Sequence, residues 1–206
     1  MVSVTQVLAQ FPELELVQWQ LRDPKKAKQV SEEAKRIGSV TDQLIQEDCR
    51  GKVVIPPGNT TPEMACWQGW LKFKIDHPDF LPSITGIQQE LVVGDYVGHP
   101  DFRLLHMPAN RHGICDLKCA SQIRPSHWTQ VAAYSWLWNP ESNVDFLAIL
   151  RLDKTTGSYE YVELTSPDEI DYEVQIWLNY KALYEHRQRV AERSRTMRED
   201  AVLYEP

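Results

Sequence analysis

Hydrophobic side chains recur along this chain with two different periods. In the N-terminal third they return every three to four residues, as Met64, Trp67 and Leu71 do, which is typical of one face of a helix. From about residue 84 they alternate with polar residues, which is typical of strands. The predicted helices span residues 3–11, 24–35, a turn-rich run after Gly38 that ends at Cys49, 61–75, 126–139 and 167–195, and the predicted strands span 84–93, 96–106, 113–120, 145–152 and 159–164. This order predicts a mixed α/β protein, with a mixed central β-sheet flanked by helices.

Three of the predicted helices begin with a capping residue followed by proline. The pairs are Asp23-Pro24, Thr61-Pro62 and Ser166-Pro167. A Ser, Thr or Asp side chain accepts a hydrogen bond from a free N–H of the first turn, and proline is tolerated at the first helical position. These pairs therefore predict where the helices begin.

The strand predicted at 113–120 carries charged residues at alternate positions. Asp116 and Lys118 alternate with Cys115, Leu117 and Cys119. Successive side chains of a strand point to opposite faces, so the carboxylate and the ammonium share one face and the apolar residues share the other.

The two preceding strands each offer a further carboxylate. Asp101 follows Pro100 in one of them, and Glu90 lies in the other. If the three strands form a meander, three carboxylates and one lysine meet at one place. Like charges at such short range are costly unless a cation lies between them, and carboxylate oxygens suit Mg²⁺ or Mn²⁺.

An ordered set of motifs gives this chain a family resemblance. Pro100-Asp101, then Asp116-Leu117-Lys118, then Gln130 with Tyr134 four residues later, resemble the PD-(D/E)xK nuclease superfamily, and in particular its RecB-like and phage exonuclease branch. The resemblance implies a restriction-endonuclease-like core. A second Pro-Asp pair, Pro78-Asp79, lies in a predicted helix-to-strand loop and is not assigned to the motif.

The resemblance also implies a role for each motif residue. Asp101, Asp116 and the backbone carbonyl of Leu117 would hold the metal, and Glu90 would complete or extend that site. Lys118 would orient the attacking water, help to deprotonate it and stabilise charge that develops on the phosphorus. Finally, Gln130 and Tyr134, on one face of the next helix, would bond the lysine, a metal-bound water or the phosphate.

One position departs from the pattern of this branch. Relatives carry a histidine four residues after a glycine on an early helix, whereas Gly38 here leads to Asp42. An aspartate supplies a hard oxygen donor, directly or through water, where the relatives supply nitrogen. We therefore expect metal use to shift towards Mg²⁺.

Size and composition fit one globular unit. The 206 residues predict a single domain over 1–206, with its core at about 30–165. A hydrophobic fraction of 42% and a charged fraction of 25% exclude the disordered, collagen and coiled-coil classes. No apolar run reaches the roughly 20 residues of a membrane span, the N-terminus has no export signal, and the cysteines sit in core-like sequence. We therefore expect a cytoplasmic protein with reduced cysteines, in the host cytoplasm if it is viral.

The predicted function follows from the resemblance. It implies a metal-dependent deoxyribonuclease, and specifically an exonuclease of DNA recombination, repair or phage DNA processing. A net charge of −7 means that DNA must be held by a local site rather than by overall charge. Two alternatives stay open, a structure-specific endonuclease and a non-catalytic nucleic-acid-binding or assembly module. Homo-oligomerisation is also left open, and no membrane partner is expected.

Overall fold

A computed structural model describes residues 1–56, 58, 60–107, 109–140 and 144–202, with side chains up to residue 196. The single-domain prediction for 1–206 therefore includes residues outside the described ranges. The helices of the described residues are α1 (Val4–Leu8), α2 (Leu14–Arg22), α3 (Pro24–Cys49), α4 (Pro62–Asp76), α5 (Phe80–Ser83), α6 (Pro125–Trp138) and α7 (Pro167–Val202). The strands are β1 (Val2–Ser3), β2 (Ile84–Ile87), β3 (Leu91–Val93), β4 (Tyr96–Gly98), β5 (Phe102–His106), β6 (Arg111–Cys119), β7 (Phe146–Leu152) and β8 (Tyr159–Leu164).

A five-stranded mixed sheet forms the centre of the fold. Its strand order is β2-β5-β6-β7-β8, in which β6 and β7 are parallel and the other neighbours are antiparallel. A second, smaller sheet has three strands in the order β1-β4-β3. The predicted mixed α/β class, with a mixed central sheet flanked by helices, is confirmed.

Both faces of the central sheet are covered by helices. On β7, Leu147 and Ile149 belong to a core shared with α6 and α7, whereas Ala148 and Leu150 belong to a core shared with α3 and α4. The near-continuous apolar sequence of β7 is what a central strand buried on both faces requires. The same alternation on β6 directs Asp116 and Lys118 to the face where α6 lies.

The predicted helix starts at Asp23 and Thr61 are confirmed. Each side chain accepts a hydrogen bond from a first-turn N–H, at 3.0 Å from Lys26 N and at 3.2 Å from Met64 N. The predicted interruption at Gly38 is wrong, because α3 runs unbroken through it. A single glycine costs a helix only about 1 kcal/mol relative to alanine, and packing of α3 against α4 and the sheet outweighs that cost.

The predicted three-strand meander is wrong in its first two strands. Residues 84–93 form β2 and β3, and residues 96–106 form β4 and β5, with each pair divided between the two sheets. The first break comes at Gln88, whose φ of 49° turns the chain out of the extended conformation. The second break includes Pro100, which has no N–H to donate to a sheet.

Helix α7 extends beyond its predicted end at residue 195 and reaches Val202. Its first turns are packed into the core through Ile170, Val174 and Trp177, and every residue of 186–196 is exposed. Among the described residues, no helix has the length and apolarity needed to cross a membrane.

Candidate active site

Two neighbouring strands bring the predicted acidic pair together. Asp101 directly precedes β5, and the antiparallel register pairs Phe102 with Cys115, so that Asp101 lies beside Asp116 of β6. Asp116 is buried, and its Oδ2 contacts Nζ of Lys118. The backbone N–H of Leu117 donates to Oδ2 of Asp101 at 2.6 Å. The backbone of β6 therefore holds Asp101 next to Asp116.

Helix α6 extends this contact into a chain of hydrogen bonds. Nζ of Lys118 donates to Oε1 of Gln130 at 3.0 Å, and Nε2 of Gln130 donates to the hydroxyl of Tyr134 at 2.8 Å. The tyrosine lies close to Gly98, where a Cβ atom would be only 2.7 Å from Cδ1 of Tyr134. Glycine at this position therefore lets α6 approach closely enough for its polar residues to reach Lys118.

A cavity of about 610 Å³ opens over this chain of contacts. The predicted site residues that line it are Asp101, Asp116, Leu117, Lys118, Gln130 and Tyr134. A cavity of this size, with charged side chains in its lining, accommodates a phosphodiester and the groups that act on it.

Glu90 lies apart from this group. The strand context predicted for it is wrong, because Glu90 falls in the turn between β2 and β3. Its side chain is 57% exposed, and its Oε2 lies 3.4 Å from Nε2 of His99. His99 lines the cavity, but Glu90 is not among the described residues that do.

The cavity is also lined by residues that the motifs did not mark as site residues. They are Thr5 of α1, Lys35, Gly38 and Ser39 of α3, Gln88 between β2 and β3, His99 between β4 and β5, and Cys119. The α3 residues repeat every three to four positions and end at Asp42, so their spacing predicts one shared helix face. No comparable periodicity marks Gln88.

Asp42 supplies a third carboxylate to the cavity. Its Oδ2 accepts a hydrogen bond from Nε2 of Gln46 at 2.7 Å, and its Oδ1 is buried with no hydrogen-bond partner among the described residues. Burial raises the pKa of Asp42 and the nearby charge of Asp116 raises it further, against the opposing effect of Gln46. A buried carboxylate oxygen without a partner is costly, and a cation in the cavity would remove that cost.

The charges in this cavity do not balance among the side chains alone. Burial, followed by Asp116 and Asp42, raises the pKa of Asp101 well above its ordinary value. Burial lowers the pKa of Lys118, but Asp116 and Asp101 outweigh this effect and the net pKa is raised. Two ammonium groups, those of Lys118 and Lys35, thus share the cavity with three carboxylates, and a divalent cation would offset the remaining negative charge.

The donor set matches Mg²⁺ or Mn²⁺ better than zinc. The described ranges contain no ready-made cluster of three or more His, Cys, Asp and Glu side chains for a metal. Carboxylate and carbonyl oxygens are the donors that Mg²⁺ prefers, together with several waters, whereas zinc is most often held by His nitrogen and Cys sulfur. Asp101, Asp116 and the Leu117 carbonyl therefore fit a hard, partly hydrated cation.

His127 contributes a neutral imidazole to the start of α6. Its Nδ1 accepts a hydrogen bond from the backbone N–H of Arg124 at 3.2 Å, so this nitrogen carries no proton. Burial and the charge of Lys118 lower the pKa of His127 to about 4.

This histidine makes stability sensitive to acid. An unfolded histidine has a pKa of about 6.5, so the unfolded state takes up the proton first and the free energy of unfolding falls as the pH drops from about 6.5 to 4. In His127→Gln we expect this fall to be shallower, with proton uptake on unfolding at pH 5 reduced by about one proton. Urea unfolding between pH 4 and 7 measures it, and the exposed His186→Gln serves as the control. Equal slopes for wild type and His127→Gln would contradict the prediction.

Solved structures that are similar to this chain are distant from it in sequence. They include the crystal structure of SSO0001, with 12% identity over 88% of this chain and 75% of that one and a TM-score of 0.41. They also include an alkaline exonuclease, LHK-Exo, from Laribacter hongkongensis, with 13% identity over 93% of both chains and a TM-score of 0.41. The complex of LHK-Exo with dAMP gives 14% identity over the same shares and a TM-score of 0.38. No protein-family model matches the chain, and no curated protein matches it by sequence.

Proposed function

We propose that this protein is a metal-dependent nuclease that hydrolyses phosphodiester bonds in DNA. The observation that carries the proposal is the convergence of Asp101, Asp116 and Lys118 on one cavity. Asp116 contacts Lys118, and Asp101 accepts from the backbone of the intervening Leu117, so these groups supply both a cation site and a donor for a phosphate oxygen.

Asp101, Asp116 and the carbonyl of Leu117 would hold Mg²⁺ or Mn²⁺, with Asp42 acting through water. When bound, the metal supplies Lewis-acid polarisation of the phosphate and a more acidic water. The two carboxylates would hold the cation in one position. The N–H of Leu117 binds one oxygen of Asp101, and the burial of Asp116 limits the motion of its side chain.

Lys118 orients the attacking water and stabilises the charge that develops on the phosphate. Its raised pKa keeps the side chain protonated near neutral pH, so it serves as a hydrogen-bond donor. The bond to Gln130, itself bonded to Tyr134, fixes the direction of the Nζ group. Donors held in advance at the place where charge develops lower the barrier without reorganisation during the reaction.

We further propose that the enzyme is an exonuclease. This rests on the spacing of Gln130 and Tyr134, which resembles the RecB-like and phage exonuclease branch. An endonuclease on the same fold, or a binding module without turnover, would share the cavity but differ in what it does to a DNA without ends.

End-labelled linear DNA and covalently closed circles, incubated with Mg²⁺ or Mn²⁺, separate these functions. We expect release of label from linear DNA, intact circles, and no reaction when a chelator is present. Nicking of circles while linear ends stay intact would identify an endonuclease instead. DNA binding with neither product, in both metals, would identify a binding module.

A further inference from the structure

Gln88 lies in the turn between β2 and β3 and lines the same cavity. We propose that Gln88 is a positioning residue, which holds the carboxylate of Asp101 in the orientation needed to bind the cation. The proposal rests on the function proposed above and adds to it a residue outside the motif.

The contacts between these two residues involve both backbone and side chain. The N–H of Gln88 donates to the backbone carbonyl of Asp101 at 3.1 Å, and Nε2 of Gln88 donates to Oδ1 of Asp101. The other carboxylate oxygen, Oδ2, accepts from Leu117 N–H at 2.6 Å. Donors from two separate elements therefore fix both oxygens, and with them the plane of the carboxylate.

The backbone of Gln88 adopts a conformation that glutamine rarely takes. Its φ of 49° lies in the left-handed region, where the Cβ atom of a non-glycine residue is crowded. A glycine would adopt it without strain but has no side-chain amide to donate to the carboxylate of Asp101. The neighbouring Gln89 is directed elsewhere, with its Oε1 accepting from Arg103. Of the two neighbouring glutamines, the turn therefore directs only Gln88 towards Asp101.

The contact from Gln88 acts against the electrostatic repulsion around Asp101. Asp101 lies near the like charges of Asp116 and Asp42, which repel its carboxylate. A neutral amide donor opposes this repulsion without adding charge. Partners of this kind behind metal ligands commonly change metal affinity or activity by about 10- to 100-fold when they are removed.

The first test compares Gln88→Ala with Gln89→Ala. We expect Gln88→Ala to bind Mn²⁺ about ten-fold more weakly, by calorimetry, and to lower kcat for DNA cleavage with KM for DNA unchanged. We expect Gln89→Ala to match the wild type in both. Wild-type Mn²⁺ affinity in Gln88→Ala would overturn the proposal.

Gln88→Gly separates the amide from the strain of the turn. Because glycine adopts the positive φ freely, this variant should melt above Gln88→Ala in chelator, yet it should bind Mn²⁺ as weakly as Gln88→Ala does. If Gln88→Gly binds Mn²⁺ as tightly as the wild type, the side chain has no positioning role and the proposal fails.

A double-mutant cycle in chelator keeps this proposal distinct from the proposed function. Gln88→Ala and Asp101→Ala should shift the urea midpoint non-additively, because each removes the same contact. Additive shifts would overturn the Gln88 proposal alone. A non-additive cycle combined with a wild type that does not bind Mn²⁺ would leave the contact in place and overturn the metal-dependent function instead.

Discussion

Lys118→Ala is expected to lose cleavage of DNA while it keeps the ability to bind Mn²⁺. In the proposed mechanism the ammonium donates to groups whose charge changes during the reaction, and it is not a metal ligand. Removing one such donor from an enzyme commonly costs about 10²- to 10³-fold in kcat. Binding of DNA in the ground state should change little, because interactions made chiefly in the transition state affect kcat more than KM.

The same variant has a second expected effect, on stability. Lys118 contacts the buried Asp116, and removing it leaves that carboxylate without its cationic partner. Breaking a buried ion pair in this way costs about 3 kcal/mol or more. We therefore expect Lys118→Ala to melt well below the wild type in chelator and to recover much of the difference in Mn²⁺, which replaces the lost positive charge.

Single-turnover cleavage and thermal melting, each with Mn²⁺ and with chelator, measure both effects. Lys28→Ala is the matched control, since Lys28 is an exposed lysine of α3 whose Nζ lies 3.9 Å from Oε1 of Glu32. It should behave like the wild type throughout. A cleavage rate for Lys118→Ala equal to that of the wild type would remove this residue from the proposed mechanism.

The two Pro-Asp pairs of this chain provide the second large effect. Asp101 faces the cavity beside Asp116, whereas Asp79 precedes the short helix α5 and is exposed. We expect Asp101→Asn to lose both cleavage and stabilisation by Mn²⁺, and Asp79→Asn to keep both. A neutral amide cannot balance a divalent cation as a carboxylate does.

Melting temperatures with Mn²⁺ and with chelator test this prediction. A ligand that binds only the folded state at 100 times its Kd raises the free energy of unfolding by about 2.7 kcal/mol. In chelator, we expect Asp101→Asn to melt close to the wild type near pH 8, because removing one of three neighbouring negative charges offsets the loss of one of the two hydrogen bonds that the carboxylate accepts. A shift with Mn²⁺ in Asp101→Asn as large as in the wild type would exclude Asp101 as a ligand.

Much of the local structure was predictable from the sequence. The alternation of Asp116 and Lys118 with apolar neighbours predicted β6, and the caps at Asp23 and Thr61 predicted the starts of α3 and α4. The four-residue spacing of Gln130 and Tyr134 predicted that both lie on one face of α6, where they are hydrogen-bonded to each other. These features were accessible because the periods of strand and helix follow from backbone geometry alone.

The surroundings of the acidic pair were decided by the tertiary structure. Glu90 was expected to join Asp101 and Asp116, but it lies exposed in a turn, while Gln88, two residues earlier, bonds Asp101. Asp42 enters the cavity from a helix about sixty residues away in sequence from Asp101. The sequence by itself determined which residues share a face within each element, because that depends on a short-range period. Which elements meet depends on where the chain turns, and those turns, such as the positive φ at Gln88, are selected by the packing of the whole fold.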